Sequence, residues 1–444
     1  MKLQSEGRID MHRLNRRRFL AGSTAAVASA VVSQTSIARA TSSSPNETIS
    51  VALIGSGGRC RSYFDPHFSR KDTVIATVCD PDQSRMGQTA EAIEKATGRR
   101  PGLFADFRRV LDDKSIDVVF IATPHHWHGP IAIPAVLAGK DVYVEKPASH
   151  VFREGRVLVE AAKKHKRIVQ HGTQMRSSEV TAKAREVLNS GLLGKVKTTK
   201  AWNVQRHSHR QAVADSEPPK GVDYDAWLGP APKRPFNANR FHGNWQWYRD
   251  YGNGDIGNDG VHDVDMARFG LGDPGHPVRI TAHGSKIDLM GEREYPDNMM
   301  VTYQFADDRV LIYEDRGWTP YGLHGYDSGN AFYGTEGYMI FTRRGFFEVR
   351  LGRKEEPGPT MRGGAGMPDH VTNFLECVRT RSEPNASAEI AHLTCSLVHL
   401  GEIGYRVGRV LHFDPATERF KNDDEANGML TKEYRKPWVL PATV

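Results

Sequence analysis

The sequence predicts an α/β protein whose N-terminal part is a doubly wound parallel sheet. Three observations predict it. Short apolar runs alternate with helical ones between residues 49 and 147, and such alternation favours parallel pairing through helical crossovers. The first apolar run ends in Gly55, Ser56, Gly57 and Gly58. A turn of this kind lets the backbone approach a pyrophosphate while the next helix points free amides at the charge. The second run ends in Asp80, twenty residues past Cys60, where an acid can accept hydrogen bonds from both hydroxyls of an adenosine ribose. At 444 residues the chain exceeds what one core usually holds, so two domains are expected.

The elements follow in order. Residues 1–40 read as an export signal: "NRRRFLAG", a short apolar run "AGSTAAVASAVV", and "ARA" before Thr41. The run resembles a twin-arginine signal with Asn15 at its first Ser or Thr position, which implies folded export to the periplasm. A membrane anchor that is never cleaved is the alternative; no later stretch is apolar enough to span a membrane. The signal holds seven basic and two acidic side chains, so the formal charge of +7 falls to +2 over residues 41–444. A near-neutral body has no electrostatic footprint for nucleic acid. The four cysteines, Cys60, Cys79, Cys377 and Cys395, form no CxxC pair and are expected reduced in the core.

Ile49, Val51, Leu53 and Ile54 make a buried strand leading into the glycine turn. The third glycine of the dinucleotide fingerprint falls at Cys60, where a small thiol still allows close helix packing. "DTVIATVCDPD" is the second strand. Asp80 would repel a 2′-phosphate, favouring NAD over NADP, although nearby Arg85 softens that preference. "EAIEKAT" is helical, "IDVVFIATP" a strand, "HGPIAIPAVLAG" a helix and "DVYVEKP" another strand. This last strand ends at Lys146, just before Pro147, at the sheet edge where ligands bind. A lysine there can lower the pKa of a substrate hydroxyl and relay its proton; a surface ion pair is the plain alternative.

Seven segments together resemble the Gfo/Idh/MocA family of oxidoreductases: "VALIGSGGR", "VCDPD", "FIATPHHWH", "GKDVYVEKP", "IVQHGTQMRS", "GDIGNDGVHDVDMARF" and "HVTNFLECVRTRSEP". They span residue 48 to near the C-terminus. The resemblance implies a Rossmann NAD-binding domain over residues 41–170. It implies a C-terminal α/β domain over 171–444, whose mainly antiparallel sheet packs subunits into dimers or tetramers. The final helices could pack back on the first domain. Lys146 becomes catalytic, with a cis bond to Pro147. The cofactor contacts become Gly55, Ser56, Gly57, Gly58, Arg59 and Asp80 at one end. Thr123, Pro124, His128, Glu145 and Lys146 serve the other, with Trp127 the alternative to His128 beside the cofactor.

The family's usual run places an Asp four residues before a His. Aligned on His262, that Asp position holds Asn258, and Asp259 follows one step late. Glycines 252, 254, 257 and 260 break regular structure up to about Asn258, after which a helix can start with Asn258 or Asp259 as its cap. Asn258 and His262, four apart, then share one face. Asp263 or Asp265 could orient the imidazole. The catalytic candidates are Lys146, His262, Asn258 and Asp259. Substrate candidates are His171, Gln174, Arg176, Trp245 and Tyr248. Arg206, His207, His209, Arg210, His242, Trp247 and Arg249 are softer ones.

No metal is expected. His125, His126 and His128 share one loop without a carboxylate, with plain surface exposure the alternative for His126, and the acidic run lacks the ligand order of a calcium loop. The sequence therefore points to an NAD-dependent oxidoreductase acting on a sugar or polyol. A glycosidase or lyase using tightly bound NAD for transient oxidation is the alternative, and a non-catalytic NAD- or sugar-binding protein the third.

Overall fold

The computed structural model describes residues 48–62, 70, 72–207, 211–288 and 292–441. The export-signal reading of residues 1–40 lies outside them, as do His209 and Arg210. Among the described residues there are two sheets. The first has six parallel strands: β1 (Ile49–Ile54), β2 (Thr73–Cys79), β3 (Gly102–Phe104), β4 (Val118–Ile121), β5 (Asp141–Val144) and β6 (Val169–His171). Their order is β3-β2-β1-β4-β5-β6, the doubly wound order of dinucleotide-binding folds.

The apolar runs are continuous because both faces of this sheet are covered. Ala52, Ile54, Val119, Ile121, Val142 and Val144 face the helices 128–137 and 152–165. Val51, Leu53, Val118, Phe120 and Tyr143 face the other way. There they meet Met86 and Ile93 of helix 83–97, and Val371, Phe374 and Leu375 of helix 367–380. That last helix comes from far down the chain.

The second sheet holds β7 (Thr198–Asn203), β8 (Arg279–Ser285), β9 (Asn298–Gln304), β10 (Val310–Arg316), β11 (Ser328–Tyr333), β12 (Gly337–Thr342), β13 (Phe346–Leu351), β14 (Glu356–Arg362), β15 (Leu411–Asp414) and β16 (Arg419–Phe420). The order is β14-β13-β12-β11-β7-β10-β9-β8-β15-β16. Only β7 and β10 pair in parallel; the other neighbours run antiparallel. One face buries Ile280, Val301, Tyr303, Leu311 and Tyr313 against helices 260–270 and 388–407.

Helix 260–270 lies hard against β10. A Cβ on Gly260 would sit 2.1 Å from the Tyr313 hydroxyl, so only glycine admits this approach. Helix 388–407 packs on the sheet and on helix 152–165, tying the two halves together. All four cysteines are free and buried. No helix among the described residues is long and apolar enough to cross a membrane.

Candidate active site

A cavity of about 770 Å³ runs along the C-terminal edge of the parallel sheet. At one end is the glycine turn. Gly55 has φ +88°, and a Cβ there would lie 2.7 Å from the Ala122 carbonyl oxygen, so the turn is pressed onto the end of β4. Gly57, Gly58, Arg59 and Asp80 line the wall. Ser56 does not. It is fully buried, and its amide and hydroxyl donate to Asp80 Oδ2 at 2.7 and 2.8 Å. The expected cofactor contact at Ser56 is therefore corrected: the residue aims the acid instead. Asp82 N adds a third bond, to Asp80 Oδ1 at 2.9 Å. Burial raises the pKa of Asp80 while these donors pull it down.

In the middle, Thr123, Pro124, His125 and His128 form the floor. The Thr123 hydroxyl is buried without a hydrogen-bond partner among the described residues. His128 sits between two carbonyls, with Nδ1 2.6 Å from that of Pro147 and Nε2 2.8 Å from that of Thr123. Burial lowers its pKa to about 4, so the neutral ring donates to one of them. His126, for which surface exposure is the plain alternative, is instead fully buried between the carbonyls of Tyr251 and Trp227. The residues present fit a dinucleotide. A cradle that only glycine allows, an oriented acid and an orphaned hydroxyl all face the same space.

At the far end stand Lys146, Asn258, Asp259 and His262. Lys146 follows β5, and its bond to Pro147 is cis. Its ammonium donates to the main-chain carbonyl of Asn258. Burial lowers its pKa, with Asp259 and Glu145 opposing. Glu145 is ion-paired with Arg59 at 2.9 Å, which joins the glycine turn to the lysine. The His262 pKa is held well below 6.5 by burial and then by the Lys146 and Arg343 charges, so the imidazole is neutral.

The glycine-rich approach is more regular than expected. Residues Gly254–Asn258 form a short helix and Gly260–Gly270 a second, with Asp259 between them. Asp259 caps through its backbone position, without a side-chain bond. Neither candidate acid orients His262. Asp265 is ion-paired with Arg176. Asp263 is fully buried with both carboxylate oxygens unpartnered among the described residues, and burial pushes its pKa far up.

Of the substrate candidates, Trp245 lines the cavity, its ring 4.6 Å from His125. Four others do not line it. His171 is fully buried and accepts from the Ala148 amide at 3.2 Å, bracing the turn after Lys146. Gln174 donates to Glu145 at 3.4 Å. Arg176 is spent on Asp265 and Asp273, each at 2.8 Å. Tyr248 is packed among Trp227, Phe241 and Tyr251. Arg176 is thus committed to an internal ion pair and Tyr248 to an aromatic cluster, and neither reaches the cavity. His207 bonds Asp255 at 3.1 Å and its pKa is raised, with that hydrogen bond prevailing over burial.

Sequence reasoning missed Arg343, Phe107, Asp223, Trp227 and Trp438, which complete the wall. One convergent set of potential metal ligands exists among the described residues: His276, His392 and Glu418. Arg156 also donates to that Glu418 carboxylate, at 2.7 Å, so its charge is already matched.

Glycine turn, ribose acid and buried lysine on one cavity define a dinucleotide-binding protein of the two-domain oxidoreductase class. The chain belongs to the Gfo/Idh/MocA oxidoreductase family. Residues 49–173 match its NAD-binding Rossmann fold. Residues 178–321 and 360–440 match its C-terminal α/β domain. A glycosyl hydrolase family 109 protein of Shewanella sp. (strain ANA-3) is 28% identical over 174 residues, covering 35% of this chain and 38% of that protein. The chain thus matches little more than a third of that relative's length. Levoglucosan dehydrogenase of Pseudarthrobacter phenanthrenivorans is 25% identical over 327 residues, covering 66% and 74% of the two chains. A solved levoglucosan dehydrogenase with NADH and levoglucosan superposes with a TM-score of 0.61 at 20% identity, covering 84% of this chain and 99% of that one.

Proposed function

We propose that this protein is an NAD-dependent oxidoreductase that moves a hydride between nicotinamide and a hydroxyl-bearing carbon of a sugar or polyol. The observation that carries the reading is the meeting of a buried lysine and a neutral histidine at the end of the dinucleotide cavity. NAD, when bound, accepts or returns the hydride. Lys146 hydrogen-bonds the substrate hydroxyl and lowers its pKa. His262, neutral at physiological pH, takes the proton. Asn258 and Asp259 position the substrate, and Trp245 offers an apolar ring face to it. The names of the levoglucosan dehydrogenase relatives support a carbohydrate substrate.

One test mixes the protein and its cofactor with free sugars and aryl glycosides, following nicotinamide reduction and released aglycone together. Stoichiometric reduction without cleavage is the expected result. Aglycone release over many turnovers with no net reduction would replace this reading with redox-assisted cleavage, the reaction class suggested by the family 109 relative's name.

A specific observation favours that second reading: the adenosine end of the cavity is covered. Val222 bridges to Asp82, the Asp223 amide donates to the Pro81 carbonyl at 2.9 Å, and His242 reaches Asp82 at 2.7 Å. Trp438 lies 5.2 Å from Trp127 and under Arg108 at 4.5 Å. Arg435 holds this tail through the Gly229 carbonyl and Asp225. Walls of this kind would slow the cofactor's release between turnovers. Trp438→Ala is expected to lose NAD on gel filtration, with its Kd raised about ten-fold or more, the loss of one buried aromatic contact. Equal NAD content in variant and wild type would sink the retention argument. Folded export through residues 1–40, and assembly as a dimer or tetramer, belong to the same proposal.

A further inference from the structure

Arg343 lies in the turn after β12, outside every segment that marks the family in this sequence. Its side chain turns inward, is 16% exposed, and joins the cavity wall beside Lys146, Asn258, Asp259 and His262. Nε donates to Ser328 Oγ at 3.2 Å, which anchors the guanidinium to β11. Nη1 donates to the main-chain carbonyl of Asp259 at 3.3 Å and lies 3.4 Å from Asp259 Oδ1.

These contacts fall on one corner. Between the two helical segments, Lys146 holds the carbonyl of Asn258 and Arg343 holds the carbonyl and carboxylate of Asp259. Asn258 has an amide where the family's usual run has an Asp, and an amide cannot take a proton. Asp259 has the carboxylate, one residue late. A planar guanidinium held by Ser328 through Nε keeps Nη1 in place against both the carbonyl and the carboxylate of Asp259; a lysine ammonium has one nitrogen and lacks that second, rigid anchor. We propose that Arg343 is a positioning residue for the reaction, holding the Asn258–Asp259 corner so that Asp259 presents to the substrate the carboxylate that Asn258 lacks. This rests on the hydride-transfer reading above.

The same charge acts on the histidine. His262 is faced by Lys146 after β5, Arg59 of the glycine turn, His171 of β6 and Arg343, with Asp259 and Asp263 on its own segment. Removing Arg343 deletes one of the cations that disfavour protonation. The His262 proton affinity then rises, and the acid limb of the rate profile moves to higher pH.

The test uses the full chain with bound NAD. Arg343→Gln, Arg343→Lys, Asp259→Asn and the Arg343→Gln/Asp259→Asn double variant are compared. Single-turnover nicotinamide reduction by the best sugar of the panel is followed against pH, and His262 is titrated by NMR. R343Q is expected to slow reduction by about ten-fold or more with NAD content unchanged, and to shift the acid limb and the His262 titration upward. R343K restores the titration, because the charge returns, but not the rate. D259N adds little to R343Q, since the two residues act as a unit. Independent, multiplying losses overturn the proposal, as does an R343Q rate within about two-fold of wild type. If R343Q does not fold, R343K decides: a slow rate with a wild-type acid limb supports the proposal, and a wild-type rate overturns it. If wild-type protein reduces no NAD with any sugar, the function reading fails separately. The titration then decides for Arg343, and an unmoved His262 in R343Q overturns its role.

Discussion

Lys146→Ala is expected to slow turnover by a factor of about 10² to 10⁴, the range for a positioned acid–base group, with NAD still bound. The reason lies in the geometry around the ammonium. Lys146 is the cation at the end of β5 that reaches the corner between the two helical segments. Its pKa is already lowered by burial, which brings it nearer the pH at which it can exchange a proton. The glycine turn and Asp80 follow β1 and β2, not β5, so removing the amine leaves these cofactor-binding groups in place. Stopped-flow reduction measures the loss, and NAD content of the purified variant measures retention. Unchanged activity would remove Lys146 from the mechanism. Loss of NAD along with activity would make it a cofactor ligand rather than a proton relay.

Arg176→Met is expected to cost about 3–5 kcal/mol of stability, the usual consequence of leaving a buried charge unpaired. Its effect on substrate affinity is expected to be small. Arg176 is 3% exposed at its side chain and pairs with Asp265, which is fully buried, and with Asp273. Its pKa is raised, the two carboxylates outweighing burial. Asp273 is held down to about 2 by Arg176, then Arg268 and Arg185, against burial. A carboxylate with a lowered native pKa contributes stability that is present above its ordinary value of 3.8 and is lost as pH falls toward 2. Wild type should therefore lose stability through that window, and the variant much less steeply. Denaturant melts at pH 7 and pH 3 test both statements. A variant of full stability but weakened sugar binding would return Arg176 to the cleft.

Arg176 also marks what a linear reading can see. A polar residue after a short strand looks the same whether it serves a cleft or a buried ion pair. Its partners stand 89 and 97 residues downstream, and no local pattern reveals them. The Rossmann half was legible because strands covered on both faces are uninterrupted apolar runs, and because Gly55 and Asp80 sit at fixed offsets from the first two. Lys146 and His262 were legible for similar reasons, each inside a short local motif. The order of the second sheet was not, since β7 pairs with β10 and β11, both more than a hundred residues later. Arg343 and Trp438 stayed hidden on the same grounds: each reaches the cavity from a turn or tail whose own sequence carries no periodicity. Ser56 shows the converse limit. It occupies a recognised position, but its hydroxyl is committed to Asp80.

Helix 367–380 completes the second face of the parallel sheet, and this fixes an order of events during synthesis. A nascent chain leaves the ribosome N-terminus first. The strands that will cradle the dinucleotide emerge early, and helix 83–97 soon covers part of this face, yet Phe120 and Tyr143 meet Phe374 only when the last fifth of the polypeptide appears. The nucleotide-binding sheet therefore completes its core with a segment from the far end of the chain. A chain interrupted before Met367 leaves Phe120 and Tyr143 without their Phe374 contacts, and so shows apolar surface that chaperones bind or that aggregates.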